Sequence, residues 1–232
     1  MTFTNLFDRF ASGILSLSMT EATRTKLEAA ARYASALSGD APIVGNDKDQ
    51  IVFVGSGSVK LVAHASAGRE QVVAFQFAGD LVSVPATRAH AYSLSALDDC
   101  ELISFPADEF FKLVQQEEGI ILEVLKCSLV ALANCREKAI TLGRKTAQER
   151  LASFLVSMAE RGGTPVDRGV ELHLPMSRSD MGDSLGLTIE TVSRQLSELR
   201  ASGLLITPSR SKFLLLDLAG LQARAGHIRA AA

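Results

Sequence analysis

The stretch SRSDMGDSLGLTIETVSRQLSELRASGLL, Ser177 to Leu205, constrains the fold more than any other part of the chain. Met181, Leu185 and Leu187 are apolar around Gly186, and Gly182 is small enough to let a second helix cross closely, so two short helices hinged at Gly186 are expected. Val192, Leu196 and Leu199 recur at helical spacing and can seal the second helix against the first. Thr188 stands at its N-cap position. That leaves Ile189, Glu190, Ser193 and Arg194 on the outer face near the start of the second helix. A recognition helix turns its N-terminal residues toward base edges in the major groove, and Glu, Ser and Arg carry the acceptors and donors those edges demand. A charged helix face often serves solubility alone. Here a hinge glycine, an apolar seal and a polar face coincide, and together they point to double-stranded DNA.

At 232 residues and 47% hydrophobic content the chain can bury one large or two modest cores, and two domains are expected. Charge is divided unevenly, with 12 Lys and Arg against 17 Asp and Glu in residues 1–142, and 12 against 9 in residues 143–232. So mild a basic excess does not announce nucleic acid by itself, and phosphate contacts must come from local groups. Arg178, Arg200, Arg210 and Lys212 are the candidates, with Ser177, Thr188 and Thr191 as further phosphate or positioning residues. No charged segment followed by an apolar one opens the chain, and no apolar run approaches the ~20 residues of a membrane span, so a cytoplasmic protein without a membrane partner is expected. Cys100, Cys127 and Cys135 are too scattered for a disulfide framework, and structural burial is expected of each. His64, His90, His173 and His227 lie far apart, so no metal site is expected.

Residues 1–18 are weakly amphipathic, which fits either a packed arm or a mobile one. Residues 20–38 read as a helix with Thr20 as its cap. Gly45 to Asp49 is turn chemistry, and IVFVGSGSVKLVAH reads as paired strands around a Gly55-Ser56-Gly57 break. After a turn at Ala67-Gly68-Arg69, QVVAFQFAGDLVSVP and YSLSALDDCELISFP complete a set of short strands expected to pack as a barrel or roll over residues 40–106. ADEFFKL is a short helix. GIILEVLKCSLVALANCREKAITLGRK is a long one, along which Ile121, Leu125, Ser128, Leu132, Cys135 and Ala139 follow the alternating four-three spacing of a coiled-coil seam. Burial within one subunit would explain some of these residues, but a helix apolar on more than one side favours a dimer seam. Thr146 to Glu160 reads as another helix, stopped by Arg161 to Pro165. Val170 to Leu174 reads as a strand, and LLITPSRSKFLLLD as two strands around Pro208 to Ser211, a wing whose Arg210 and Lys212 can meet phosphate.

The order β-roll, long helix, winged helix-turn-helix resembles the CRP/FNR superfamily of bacterial transcription regulators over residues 20–232. LGLTIETVSRQL, Leu185 to Leu196, resembles the E-x-x-S-R recognition signature of its FNR and FixK branches, and LAGLQARAGHIR resembles the FNR C-terminus. The resemblance implies an α+β fold with a cyclic-nucleotide-binding-like β-roll in residues 1–117, a dimerisation helix in 118–143 and a winged helix-turn-helix in 144–232. It implies that Glu190, Ser193 and Arg194 read a TTGAT-like half-site. Arginine offers a fork to guanine O6 and N7, glutamate accepts from cytosine N4, and Ile189 can touch a thymine methyl.

The departures from the family are also informative. No cysteine precedes Cys100, and Ile103 stands where the fourth thiolate of the FNR iron–sulfur cluster would be. The cAMP branch resembles this chain at Gly79-Asp80-Leu81, but its phosphate-binding Arg-Ser pair is replaced here by HAYSLS, and the segment before Ile51 is short for the family's opening strands. No cofactor is therefore expected. The resemblance implies a FixK-like homodimeric regulator, expected to be an activator touching RNA polymerase, in the control of microaerobic respiration or nitrogen fixation. A second reading adds a haem, nitric oxide or metabolite sensor in the roll, with His64 and His90 as its handles. A third, an enzyme on a cupin-like roll, lacks the clustered ligands such a site requires, so no enzyme is expected.

Overall fold

The computed structural model describes residues 3–13, 19–42, 47–65, 68–86 and 90–226. Contacts divide the chain into two compact units, Met1–Ala133 and Asn134–Ala232. The first opens with helices α1 (Phe3–Gly13) and α2 (Glu21–Ala30). Strands β1 (Arg32–Ala36), β2 (Gln50–Ser56), β3 (Ser58–His64), β4 (Glu70–Phe77), β5 (Leu81–Val84), β6 (Ala91–Ala96) and β7 (Cys100–Pro106) follow, then α3 (Ala107–Val114) and the beginning of α4 (Glu118–Arg144). The strands form two antiparallel sheets, β1-β7-β2-β5 and β4-β3-β6.

The central strands β2 and β7 of the four-stranded sheet are buried on both faces, which explains why IVFV in β2 is apolar without alternation. Val52 and Val54 of β2, with Cys100 and Leu102 of β7, point into the roll among Val59, Leu61, Val82, Val84 and Leu94. Ile51, Phe53, Ile103 and Phe105 point the other way, into a second core with residues of α1, α2, α3 and α4. The N-terminal segment is thus a packed arm over its described part. Leu6, Phe7 and Phe10 are fully buried, and the Phe10 ring lies 5.4 Å from Phe53 and 5.3 Å from Phe105. Each such side chain contributes about 1.5–3 kcal/mol by burial. Gly55 makes the close approach of α1 feasible, because a Cβ there would overlap the Leu6 side chain. Residues 14–18, and with them the end of the expected arm, lie outside the described residues, as do Gly45, Asn46 and Ala67 of the expected turns.

Two expectations are corrected. The helix capped by Thr20 ends at Ala30, and Arg32–Ala36, read as its continuation, is instead β1, paired with β7 from Arg32 opposite Ser104 to Ala36 opposite Cys100. Alanine-rich RYASA has helical propensity, but pairing against β7 overrides it. The roll thereby gains the opening strand that the segment before Ile51 was too short to supply. The second correction concerns IVFVGSGSVKLVAH, whose two strands do not pair with each other: β2 joins β7 and β5, whereas β3 joins β4 and β6. Gly57, at φ +71°, carries the chain from one sheet to the other, against the Asp99 carbonyl where no side chain would fit.

The second unit holds the end of α4, α5 (Ala147–Gly162), β8 (Thr164–Val166), β9 (Gly169–His173), α6 (Arg178–Leu185), α7 (Ile189–Ala201), β10 (Leu205–Ile206), β11 (Lys212–Leu215) and α8 (Leu218–Arg224). Thr146 and Glu149 form a reciprocal capping box that starts α5. The sheet order is β10-β11-β9-β8, all antiparallel. Strand β8 lies inside what reads as a breaker, and its Pro165 is tolerated because β8 is an edge strand. Of LAGLQARAGHIR, the part through Arg224 is α8, whereas residues from His227 onward lie outside the described residues. No helix among the described residues is long and apolar enough to cross a membrane.

Candidate nucleic-acid interface

Helix α6 opens with a second capping box. The Ser177 hydroxyl accepts from the Asp180 N–H at 3.1 Å and donates to the Asp180 carboxylate at 2.6 Å, so this residue, expected at phosphate, is engaged as a cap. The helix closes on Gly186 at φ +62°, with the Gly186 and Leu187 N–H groups both bonded to the Gly182 carbonyl. Gly182 is required by the crossing, since a Cβ there would lie 2.6 Å from the Leu187 carbonyl oxygen. Thr188 caps α7 by accepting from the Thr191 N–H at 3.3 Å. Val192, Leu196 and Leu199 are buried as expected. Gln195 is buried beside them, its Oε1 without a hydrogen-bond partner among the described residues, and the apolar periodicity gave no sign of it.

Arg150 of α5 reinforces the hinge. Its guanidinium donates to the carbonyls of Lys145 at 2.9 Å and Leu142 at 2.8 Å, and to those of Leu185 at 2.9 Å and Gly186 at 3.4 Å. One planar fork therefore ties the end of α4 to the turn between α6 and α7. Sequence reasoning passed over Arg150 because it looks like an ordinary solvated position on α5. Lys138, near the end of α4, donates to the Ser184 hydroxyl of α6 at 3.0 Å, and burial pushes its ammonium down to about 8.

The outer face of α7 carries the expected groups in different states. Ile189 is 46% exposed. Glu190 is exposed, and its carboxyl is held below the ordinary range by its own backbone N–H and then by the Thr188 hydroxyl, so it is an ionised acceptor. Arg194 is exposed and, among the described residues, makes no hydrogen bond or ion pair. Ser193 is half-buried and accepts from Arg178 Nη1 at 3.2 Å, so two predicted site residues are brought together. Arg200 donates to Ser197 at 2.8 Å and Thr207 at 3.3 Å. Strands β10 and β11 flank Pro208 to Ser211 as the wing requires, with Leu205 opposite Leu215. Arg210 is exposed at its tip, whereas Lys212 is paired with Glu171 of β9 at 2.7 Å.

Along α4, Leu125 and Leu132 are 52% and 45% exposed, and Leu122, Leu129, Val130 and Ile140, which the seam reading did not include, are exposed as well. Ile121 is half-buried against the core of the first unit. Ser128 donates to the Val124 carbonyl at 2.8 Å, and Ala139 is exposed. Burial holds for Cys100 but not for the other thiols: Cys127 is half-buried and Cys135 exposed, because the middle of α4 lies on the surface of a single chain.

No group of three or more His, Cys, Asp or Glu side chains capable of holding a metal occurs among the described residues. His64 lies opposite Ala91, one register step from the inward Ala63 and Tyr92 pair, so it faces away from that interior. Its ring is taken by Ser93 at 2.7 Å and Glu70 at 3.3 Å.

A glycine-hinged helix pair with a free arginine and an ionised glutamate on its second member, flanked by a strand-turn-strand wing, defines a winged helix-turn-helix DNA-binding protein. Residues 149–224 match the Crp-like helix-turn-helix domain, and residues 37–117 match the cyclic nucleotide-binding domain. The chain is 35% identical to the nitrogen fixation regulation protein FixK of Azorhizobium caulinodans, over 78% of this chain and 74% of that protein. It is 33% identical to the transcriptional activator protein FnrL of Cereibacter sphaeroides, over 86% of this chain and 83% of that one. The structure of FixK2 from Bradyrhizobium japonicum superposes with a TM-score of 0.73 at 30% identity, covering 87% of this chain and 99% of that one. The chain belongs to the CRP/FNR family of DNA-binding transcription regulators, in its FixK-like branch, and is not an enzyme.

Proposed function

We propose that this regulator binds a TTGAT-type palindrome as a homodimer, with Glu190, Ser193 and Arg194 reading base edges and Ile189 touching a thymine methyl. The observation that carries the reading is the state of α7: its N-terminal turns present an ionised Glu190 and an Arg194 with no partner among the described residues, on a face set by a glycine hinge. Arg194 supplies the fork for guanine, and Glu190 accepts from cytosine. Arg200, Arg210 and Lys212, with Thr188 and Thr191, position the domain on the sugar-phosphate chain. The dimerisation segment, residues 118–143 of α4, joins the roll (1–117) to the DNA-binding domain (144–232) and supplies the dimer seam through Leu125 and Leu132, with Ile121, Ser128, Cys135 and Ala139 along it. Two-fold symmetry then places recognition helices in successive major grooves, about 34 Å apart. The protein acts in the cytoplasm as an activator that contacts RNA polymerase, in microaerobic or nitrogen-fixation gene control, consistent with the names of its relatives. Fluorescence anisotropy on a TTGAT palindrome and a scrambled duplex of equal length tests it. Tighter binding to the palindrome, with two chains per duplex, is expected; equal binding to both overturns the reading.

A further inference from the structure

The serines of the recognition helix are not equivalent. Ser197 donates back to the Ser193 carbonyl at 3.0 Å, and Ser202 donates to the Glu198 carbonyl at 2.9 Å, the usual way a helical serine satisfies its hydrogen. Ser193 does not. Its oxygen accepts from Arg178 Nη1 at 3.2 Å, and no acceptor among the described residues takes its hydrogen. Arginine has donors only, so the hydroxyl hydrogen cannot point toward it. A cationic donor on the oxygen also polarises the O–H bond, strengthening it as a donor and weakening the oxygen as an acceptor for a second partner. Arg200 makes the same kind of bond to Ser197, but there the hydrogen is already committed to the helix backbone.

We infer that Arg178 is a specificity-determining positioning residue that acts through Ser193, setting this hydroxyl as a hydrogen-bond donor toward the major groove. The inference rests on the assignment of Ser193 as a base-reading residue. Thymine O4 and guanine O6 and N7 present acceptors there, whereas cytosine presents only its N4 amino donors. The base opposite Ser193 is therefore selected for an acceptor, and cytosine is rejected. Arg178, first residue of α6, thus contributes sequence information from a position that otherwise suits a phosphate contact.

The test measures full-chain binding to palindromes in which each half-site position is changed symmetrically to all four bases, at two salt concentrations. Wild type, Ser193→Ala, Arg178→Ala, Arg178→Gln and the Arg178→Ala/Ser193→Ala double variant are compared. Wild type is expected to disfavour cytosine at one position by about tenfold, the scale of a single good base contact. Ser193→Ala and each Arg178 variant should flatten that position and no other, and the double variant should lose no more discrimination there than Ser193→Ala alone. Circular dichroism establishes that each variant is folded, with Arg178→Gln retaining the bulk of the side chain. The inference is overturned if Arg178→Ala and Arg178→Gln weaken all duplexes by the same factor, reduce the salt dependence and leave the cytosine penalty intact. That result would make Arg178 a phosphate contact. If wild type shows no preference at any position, the base-reading assignment itself fails instead.

Discussion

At the scale of single residues, the side chains expected to meet DNA fall into engaged and unengaged groups. Arg194 has no partner among the described residues, so its fork is available to a base edge. Arg194→Ala is expected to cost about 1–3 kcal/mol on the matched palindrome and to relax preference at the guanine, read by anisotropy against single-base variants. Lys212 differs, because its ammonium already faces Glu171 at 2.7 Å and must exchange that partner for a phosphate. Both side chains are partly exposed, at 46% and 39%, so water screens the pair and it adds little to stability, about 0–1 kcal/mol. Its effect is on binding: Glu171→Gln should strengthen association with all sequences alike and steepen the log-log salt dependence by up to about 0.9, the increment of one released counterion. Unchanged affinity and slope would show that Lys212 does not reach phosphate. The identities of these residues were legible in the sequence, but their states were not. Glu171 and Lys212 meet only because β9 and β11 pair with Lys212 opposite His173 and Leu214 opposite Glu171.

At the scale of elements, the hinge depends on two glycines for different reasons. Gly186 needs its positive φ, and a Cβ there would meet Arg150 Nη1 at 3.3 Å, so Gly186→Ala should cost about 1–2 kcal/mol. Gly182 is limited by backbone, with 2.6 Å between a Cβ and the Leu187 carbonyl oxygen, and Gly182→Ala must push that turn away from α6. The expected loss is about 2–3 kcal/mol, with reduced DNA affinity; urea unfolding should rank it as the more damaging of the two. Lys138 gives α4 and α6 a pH dependence. Its folded-state value near 8 lies below the ordinary 10.5, so the folded chain releases this proton before the unfolded chain does. The destabilising contribution is present in full below pH 8 and disappears as pH rises from about 8 to 10.5. Thermal midpoints of wild type should therefore rise across that window relative to Lys138→Met, and parallel profiles would contradict the assignment. Helix periodicity and capping residues made α3, α5 and α7 readable, whereas β1 was hidden in an alanine-rich segment that only pairing with β7 turns into a strand.

At the scale of the whole molecule, α4 leaves Leu122, Leu125, Leu129, Val130 and Leu132 exposed in one chain, an apolar surface suited to a second copy. Leu125→Glu/Leu132→Glu should give a monomer by sedimentation and abolish tight palindrome binding, while each chain retains its helical content. A dimer that survives both charges would move the seam elsewhere. The heptad spacing was visible in sequence, but the share of Ile121 that belongs to the core of the first unit was not, since that requires knowing which face of α4 the roll covers. The sequence by itself determined the helix-turn-helix, the residues on the outer face of its second helix, the strand-rich first half and the long helix, because each rests on local periodicity, glycine conformation or capping chemistry within a few residues. Only the tertiary structure decided which polar groups remain free for DNA, that Arg150 clasps the hinge, and that Arg178 holds Ser193. Those facts depend on hydrogen bonds and an ion pair between residues 15 to 41 positions apart, and local pattern carries no information about such pairs.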